Sequence, residues 1–208
     1  MAPLFDPSVL ALVGVFSAVL STIGYLPYLV DTAKGRTHPQ RACWLIWSVL
    51  GSIALASQIH EGAMASLGFA AVQVTGTVIV FALSIFVGKG KFLHRTDWLT
   101  LAAAAIGLLL WYFTSSAAYA LAITISISLL GGSMTVFKAY RDPGSETVST
   151  WMVFWAASAL AVVSVGAWDA TLLAYPLYLL TLYSAILGAI ALGSRRPVVC
   201  SAPMIPAE

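Results

Sequence analysis

Small polar side chains stand at helical spacing inside long apolar runs of this 208-residue sequence. Ser17 and Ser21 are four residues apart, as are Thr124 and Ser128, so each pair shares one face of a helix. Gln73 is the most polar side chain of its run. Polar groups surrounded by hydrocarbon either line a solute pathway or pair with a neighbouring helix, because lipid offers them no partner. The sequence leaves both interpretations open.

The candidate solute-binding residues are the polar side chains near the middle of these runs, together with one tyrosine whose hydroxyl can bind a polar ligand. They are Ser21, Ser52, Gln73, Thr77, Ser128, Ser158, Thr181 and Tyr183. No cluster of Cys and His in the sequence suggests a metal site, and no nucleophile stands beside a base. We therefore expect no metal, no cofactor and no enzymatic activity.

Long hydrophobic runs must position these residues, since 60% of the chain is hydrophobic and only 9% is charged. A soluble domain carries about a quarter charged residues, so the composition predicts an all-α protein of the lipid bilayer. Seven runs are long enough to suggest spans, numbered 1 to 7 along the chain. They lie near 8–30, 42–59, 63–87, 97–113, 116–138, 149–168 and 170–192. A net charge of +2 offers no basic face, so nucleic acid is not expected as a partner.

The basic residues agree with seven spans. All ten Lys and Arg follow spans 1, 3, 5 or 7, and none lies in the loops of the opposite side. The positive-inside rule then predicts an N-terminus outside, a cytoplasmic C-terminus and a location in the cell (inner) membrane. The sequence leaves open whether the protein is a monomer or a homo-oligomer.

The first three spans are repeated after an offset of 107 residues. At this offset Gly24 aligns with Gly131 and Trp44 aligns with Trp151. Each copy continues from a basic loop into a helix that begins with tryptophan. Since three helices reverse the chain direction, one extra helix between the copies makes the repeats parallel. The predicted fold is two parallel three-helix bundles joined by a linker helix (3+1+3). Its parts are an extracytoplasmic N-terminus at 1–7, repeats at 8–87 and 115–194, a basic loop with the linker helix at 88–114, and a cytoplasmic tail at 195–208.

This arrangement resembles the SWEET/PQ-loop superfamily of membrane transporters over about residues 8–194. The most specific piece is the stretch from Gly24 to Leu29, in which Pro27 matches the proline of the family's Pro-Gln pair and Tyr28 replaces the glutamine. The resemblance implies transport by alternating access of the two bundles. The sugar-binding members have asparagines in the central pocket, whereas this chain contains no asparagine, which argues against a sugar.

Five residues are candidates for a hinge or a gate. Pro27 and Pro176 interrupt helix hydrogen bonding, and the resemblance makes Pro27 a hinge rather than a static kink. Tyr28 stands beside that hinge. Trp47 and Trp155 lie near the cytoplasmic ends of spans 2 and 6, where tryptophan either anchors a helix at the interface or plugs an inner gate.

The leading hypothesis is a facilitator that passes a small polar solute across the membrane without ion coupling, because no charged residue falls at mid-membrane. One alternative is a riboside or vitamin-precursor carrier of the same 3+1+3 fold, to which the Trp44 and Trp47 pair points weakly. The other is a non-transporting receptor or scaffold. An axis blocked by large side chains would favour this last hypothesis.

Overall fold

The computed structural model describes residues 6–39, 41–60, 62, 65–87 and 117–195, with isolated residues between 98 and 113. The described chain is helical. Its helices are α1 (Pro7–Ala33), α2 (Arg41–His60), α3 (Leu67–Val87), α4 (Ala117–Arg141), α5 (Val148–Ser164) and α6 (Ala170–Ser194), with a 3₁₀ turn at Pro143–Ser145. These helices correspond to predicted spans 1, 2, 3, 5, 6 and 7. Most of span 4, the N-terminus 1–5 and the tail beyond Arg195 fall outside the described residues.

Four helical segments are long and apolar enough to cross a membrane. They are Pro7–Ala33, Cys43–His60, Leu67–Val87 and Ala170–Ser194. Val148–Ser164 is a shorter apolar helix. A helix rises about 1.5 Å per residue, so about 20 residues cross the hydrocarbon core. The prediction of a helical, membrane-type chain is confirmed at this level.

Short polar motifs begin and end the helices. The Asp6 carboxylate accepts the Ser8 backbone N–H at 2.8 Å and precedes Pro7 at the first position of α1. The hydrogen bonds from Ser8 lower the pKa of the Asp6 carboxyl. At the other end, Lys34 and Gly35 bond back to the last turn of α1, and Gly35 adopts a positive φ of 69°.

α5 ends four residues earlier than predicted, at Ser164 rather than 168. Gly166 has a φ of 67°, which a helix cannot accommodate, and a side chain there would lie 2.2 Å from Leu10 of α1. The chain then turns, and the Asp169 carboxylate accepts the N–H groups of Thr171 and Leu172 at the start of α6. The break predicted at 168–170 therefore lies at a capped helix start.

The two halves pack their helices in the same order. In the first half α3 lies between α1 and α2, and in the second half α6 lies between α4 and α5. The halves meet where α1 packs on α5 and where α2 packs on α4. Exchanging α1 with α4, α2 with α5 and α3 with α6 maps each of these contacts onto another one. The described helices therefore share the internal repeat that the sequence offset indicates.

The side chains of α1 are sorted in the opposite way to those of a soluble helix. Leu12 and Phe16 are more than half exposed, whereas Ser17 and Ser21 are fully buried. The Ser17 hydroxyl donates to the Ala157 carbonyl of α5 at 2.7 Å and so joins the two halves. Apolar groups outside and hydroxyls inside are typical of a helix that faces lipid.

Candidate functional site

A cavity lies between the two halves and is lined by residues from all six described helices. Its walls are Tyr25, Trp44, Trp47, Gly51, Gln73, Thr77, Ser128, Trp151, Phe154, Tyr175, Tyr178, Leu179, Leu182 and Tyr183. Water molecules have about 30 Å³ available to their centres. That space suits one or two waters, so the cavity has no room for a larger solute in this structure.

Eight of the lining side chains are aromatic. Tyr25 contacts Phe154 with ring centroids 4.6 Å apart, and Phe154 contacts Tyr183 at 5.5 Å. Trp151 joins the same group through Tyr183, at 5.8 Å. Each such pair contributes about 0.5–1.5 kcal/mol beyond its buried area. Because α1 contributes Tyr25, α5 Trp151 and Phe154, and α6 Tyr183, these rings form one continuous wall across both halves.

Glycines make room for two of these rings. A side chain at Gly76 would lie 2.1 Å from the Tyr25 ring, and one at Gly24 would lie 2.8 Å from the Phe154 ring. At the repeat offset, Tyr25 corresponds to Gly132 and Gly76 corresponds to Tyr183. The tyrosine therefore comes from the first helix in one half and from the third helix in the other, and the cavity wall is asymmetric.

Three lining side chains have polar atoms without a hydrogen-bond partner among the described residues. These atoms are Gln73 Nε2, Trp47 Nε1 and the Tyr178 hydroxyl, and all three are buried. The other end of the Gln73 amide is occupied, since its Oε1 accepts the Tyr25 hydroxyl at 2.7 Å. Leaving a buried donor unpaired costs about 1–3 kcal/mol, so such groups point to a ligand or to water.

None of the lining residues that the structure describes is charged, and the charged pair of Lys138 and Glu146 lies at the end of α4. One side chain links the two regions. The Trp151 ring lines the cavity, and its Nε1 donates to the Glu146 carboxylate at 3.1 Å. Glu146 is 7% exposed and accepts Lys138 Nζ at 2.8 Å.

We call the residues Asp31, Thr37, Lys138, Glu146 and Thr147 the loop network. Lys138 donates to the His38 carbonyl of the first half at 2.8 Å. The Thr147 hydroxyl donates to Asp31 Oδ2 at 3.0 Å and lies 2.6 Å from the Thr37 hydroxyl. These three contacts join the loop of the first half to that of the second. The loop network therefore joins the two halves beside the Trp151 end of the cavity.

Four of the eight predicted solute-binding residues line the cavity, namely Gln73, Thr77, Ser128 and Tyr183. The other four lie elsewhere. Ser21 is buried with an unpaired hydroxyl outside the cavity lining. The hydroxyls of Ser52, Ser158 and Thr181 donate to carbonyls of their own helices at 2.7, 2.8 and 2.9 Å. The side chain of Thr124, the predicted partner of Ser128, is outside the described residues.

The predicted gate residues divide in the same way. Trp47 lines the cavity, and Tyr28 is 1% exposed between Trp44 and Trp151, at ring distances of 5.0 and 6.1 Å. Trp155 is 44% exposed and donates to the Ser184 hydroxyl on the outer surface. Pro27 and Pro176 interrupt α1 and α6.

Several wall residues were not among the predicted site residues. Tyr175, Tyr178, Leu179 and Leu182 recur at spacings of three and four and form one face of α6 with Tyr183. This helical periodicity was a usable signal in the sequence. Trp44 and Trp151 also line the cavity and were not among the predicted solute-binding residues.

Comparison of the chain with models of known protein families, with curated proteins and with solved structures finds no match.

Proposed function

We propose that the chain is a membrane transporter of the 3+1+3 type, resembling the SWEET/PQ-loop superfamily, that facilitates passage of a small polar solute. In this proposal the two halves rock against each other around the cavity, with the N-terminus outside the cell. The observation that carries the proposal is the position of the cavity. It lies between two similarly packed halves and contains buried polar atoms that the described protein leaves unpaired.

The loop network supports an alternating-access mechanism. Its three contacts between the halves are buried or half-buried hydrogen bonds, and each contributes about 1 kcal/mol. A rocking motion of the two halves can break hydrogen bonds of this strength. Pro27 lies next to Tyr28, whose ring contacts the cavity-lining Trp44 and Trp151, so bending α1 there would move a side chain that packs against the cavity wall.

The uncharged lining supports transport without ion coupling. Proton coupling commonly uses a carboxylate or a histidine that changes charge near neutral pH, and the described lining contains neither. The solute would then move down its own gradient, with recognition by hydrogen bonds and aromatic contacts.

Uptake into proteoliposomes tests this proposal. A panel of sugars, amino acids and ribosides would be presented without an ion gradient, and we expect at least one solute to equilibrate across the membrane. Gln73→Leu removes a lining amide and should reduce that uptake. Thr181→Val is the matched control, because Thr181 is exposed and bonds only within its own helix. Uptake that required a pH or sodium gradient would contradict the uncoupled mechanism.

Trp44 and Trp47 favour the riboside or vitamin-precursor carrier as a second candidate, because both line the cavity. Flat aromatic bases stack on such rings. A ligand thermal-shift screen distinguishes the candidates, since a bound solute stabilises the folded protein. Stabilisation by ribosides and not by sugars or amino acids would support this candidate.

The small volume of the cavity favours the other alternative, a receptor or scaffold that does not transport. Cysteine labelling separates the two classes. Ser128→Cys would be introduced where Cys43 and Cys200 are replaced by alanine, and thiol reagents would be applied from each side. A transporter exposes the new thiol to both sides in turn, whereas a scaffold with a blocked axis exposes it to neither.

A further inference from the structure

The unpaired polar atoms of the cavity are mainly hydrogen-bond donors. Trp47 Nε1 can only donate, and Gln73 Nε2 carries two hydrogens. The acceptor of the Gln73 amide is already used, because the Tyr25 hydroxyl donates to Oε1 at 2.7 Å. The Tyr178 hydroxyl can donate as well. Two of the three unpaired groups, Trp47 Nε1 and Gln73 Nε2, can therefore only donate, and acceptors on a ligand would suit them.

These donors come from three different helices. Trp47 belongs to α2, Gln73 to α3 and Tyr178 to α6, and all three side chains line the same space. A single ligand that enters this space can thus meet donors from both halves. Donors that converge from separate elements fix the orientation of a small ligand.

The charge and the walls of the cavity narrow the class of ligand. An anion would meet donors but no cation among the described lining residues, so it would lose its hydration without a counter-charge. A cation would meet hydrogen-bond donors and no carboxylate among the described lining residues. The eight aromatic side chains match the face of a flat ring better than they match the many hydroxyl donors of a sugar.

We infer that the cavity binds an uncharged, flat ligand whose carbonyl or ring-nitrogen acceptors take the hydrogen bonds of Gln73, Trp47 and Tyr178. The inference rests on the proposed function. The cavity has room for only one or two waters in this structure, so the two halves must separate to admit a ring. Within the cavity, acceptors on the ligand replace water as partners of the three donors. The flat faces of the ligand pack against the aromatic wall.

Three small probes of nearly the same size and shape test the inference. Benzamide is neutral and accepts through its carbonyl, benzoate is anionic, and benzamidinium is a cation without an acceptor. Binding to the purified full-length protein in detergent would be measured by calorimetry. We expect benzamide to bind at least about tenfold more tightly than either ion, which corresponds to one hydrogen bond gained without a desolvated charge.

Conservative variants identify the donors. Trp47→Phe, Tyr178→Phe and Gln73→Met each keep most of the side-chain volume and remove a polar group. We expect each variant to weaken benzamide binding about threefold to tenfold. Trp155→Phe is the matched control, because its indole donates to Ser184 on the outer surface, and it should leave the affinity unchanged. Thermal melting verifies folding, and any variant that folds provides the test.

Several results would overturn the inference. They are equal or tighter binding of benzoate or benzamidinium, a benzamide affinity that none of the folded variants changes, or no binding of benzamide. Uptake assays distinguish a failure of the ligand inference from a failure of the proposed transport function. Benzamide binding without transport of any solute would overturn the transporter alone. Glucose uptake that benzamide does not inhibit would overturn the ligand class alone.

Discussion

The cavity and the loop network differ in how many of their polar groups have a hydrogen-bond partner. In the loop network Glu146 is paired twice, with Lys138 and with Trp151, and Asp31 is bonded by Thr147. In the cavity three polar atoms stay unpaired among the described residues. Paired polar groups hold a structure closed, whereas unpaired ones are available to a ligand. Under the proposed function, the contrast would assign closure to the loop network and solute recognition to the cavity.

The largest effect should come from breaking the ion pair of the loop network. Lys138→Met leaves the Glu146 carboxylate without its cation, and the Glu146 side chain alone is only 2% exposed. We expect the free energy of unfolding to fall by about 3 kcal/mol. Chemical denaturation in mixed micelles measures this quantity. Arg141→Met, at an exposed position of the same helix end, should change it by less than about 0.5 kcal/mol. Equal effects of the two variants would argue that the pair does not stabilise closure.

A double variant sharpens the same point. Lys138→Met combined with Glu146→Gln removes the buried charge, so it should recover part of the stability lost in Lys138→Met. A strictly additive loss would show that the two side chains do not depend on each other.

The next effect should come from the aromatic wall. Gly76→Ala places a methyl group 2.1 Å from the Tyr25 ring and must displace that ring from Gln73. We expect a loss of about 1–3 kcal/mol in stability and a loss of ligand binding. Gly188→Ala is the control, because nothing lies within 4 Å of a side chain there and alanine favours the helix. It should leave stability unchanged or raise it by up to about 1 kcal/mol.

A smaller effect should follow from opening the loop network without leaving a charge unpaired. Thr147→Val removes the hydrogen bond to Asp31 and the contact with Thr37. We expect stability to fall by about 1–2 kcal/mol. Labelling of Ser128→Cys from the loop side should become faster, because fewer contacts hold the halves together. Labelling at the unchanged rate would mean that the loop network does not limit access to the cavity.

The smallest effect on stability should come from the cavity itself. Tyr178→Phe removes a hydroxyl that has no partner among the described residues, so unfolding should need the same or slightly more free energy. Thermal melting without ligand would detect the difference. A loss above about 1 kcal/mol would mean that the hydroxyl is paired within the protein, and the comparison between the two regions would weaken.

Much of the helical architecture follows from the sequence alone. The apolar runs predicted α1, α2 and α3 to within a few residues, and the 107-residue offset anticipated the common packing order of the two halves. The end of α5 was missed because Gly166 stands inside the predicted span, although a glycine with a positive φ commonly follows a helix end. The close approach of Leu10, which leaves no room for a side chain at Gly166, is visible only in the tertiary structure.

Only half of the predicted solute-binding residues line the cavity. Gln73 and Tyr183 were found because polar groups stand out in apolar runs. Ser52 and Thr181 stand out equally, yet their hydroxyls bond to their own helices. Spacing cannot distinguish these cases, because a hydroxyl can bond to its own helix or to a ligand at the same position along the chain.

The sequence by itself determined that the chain is helical, where most of its helices lie and that several are apolar enough to cross a membrane, because hydrophobicity and spacing are properties of the chain. The tertiary structure decided which polar groups remain unpaired and which aromatic side chains surround them. Trp151 illustrates the difference, since its ring lines the cavity while its indole N–H bonds Glu146. Such a position depends on the packing of several helices, which no single segment specifies.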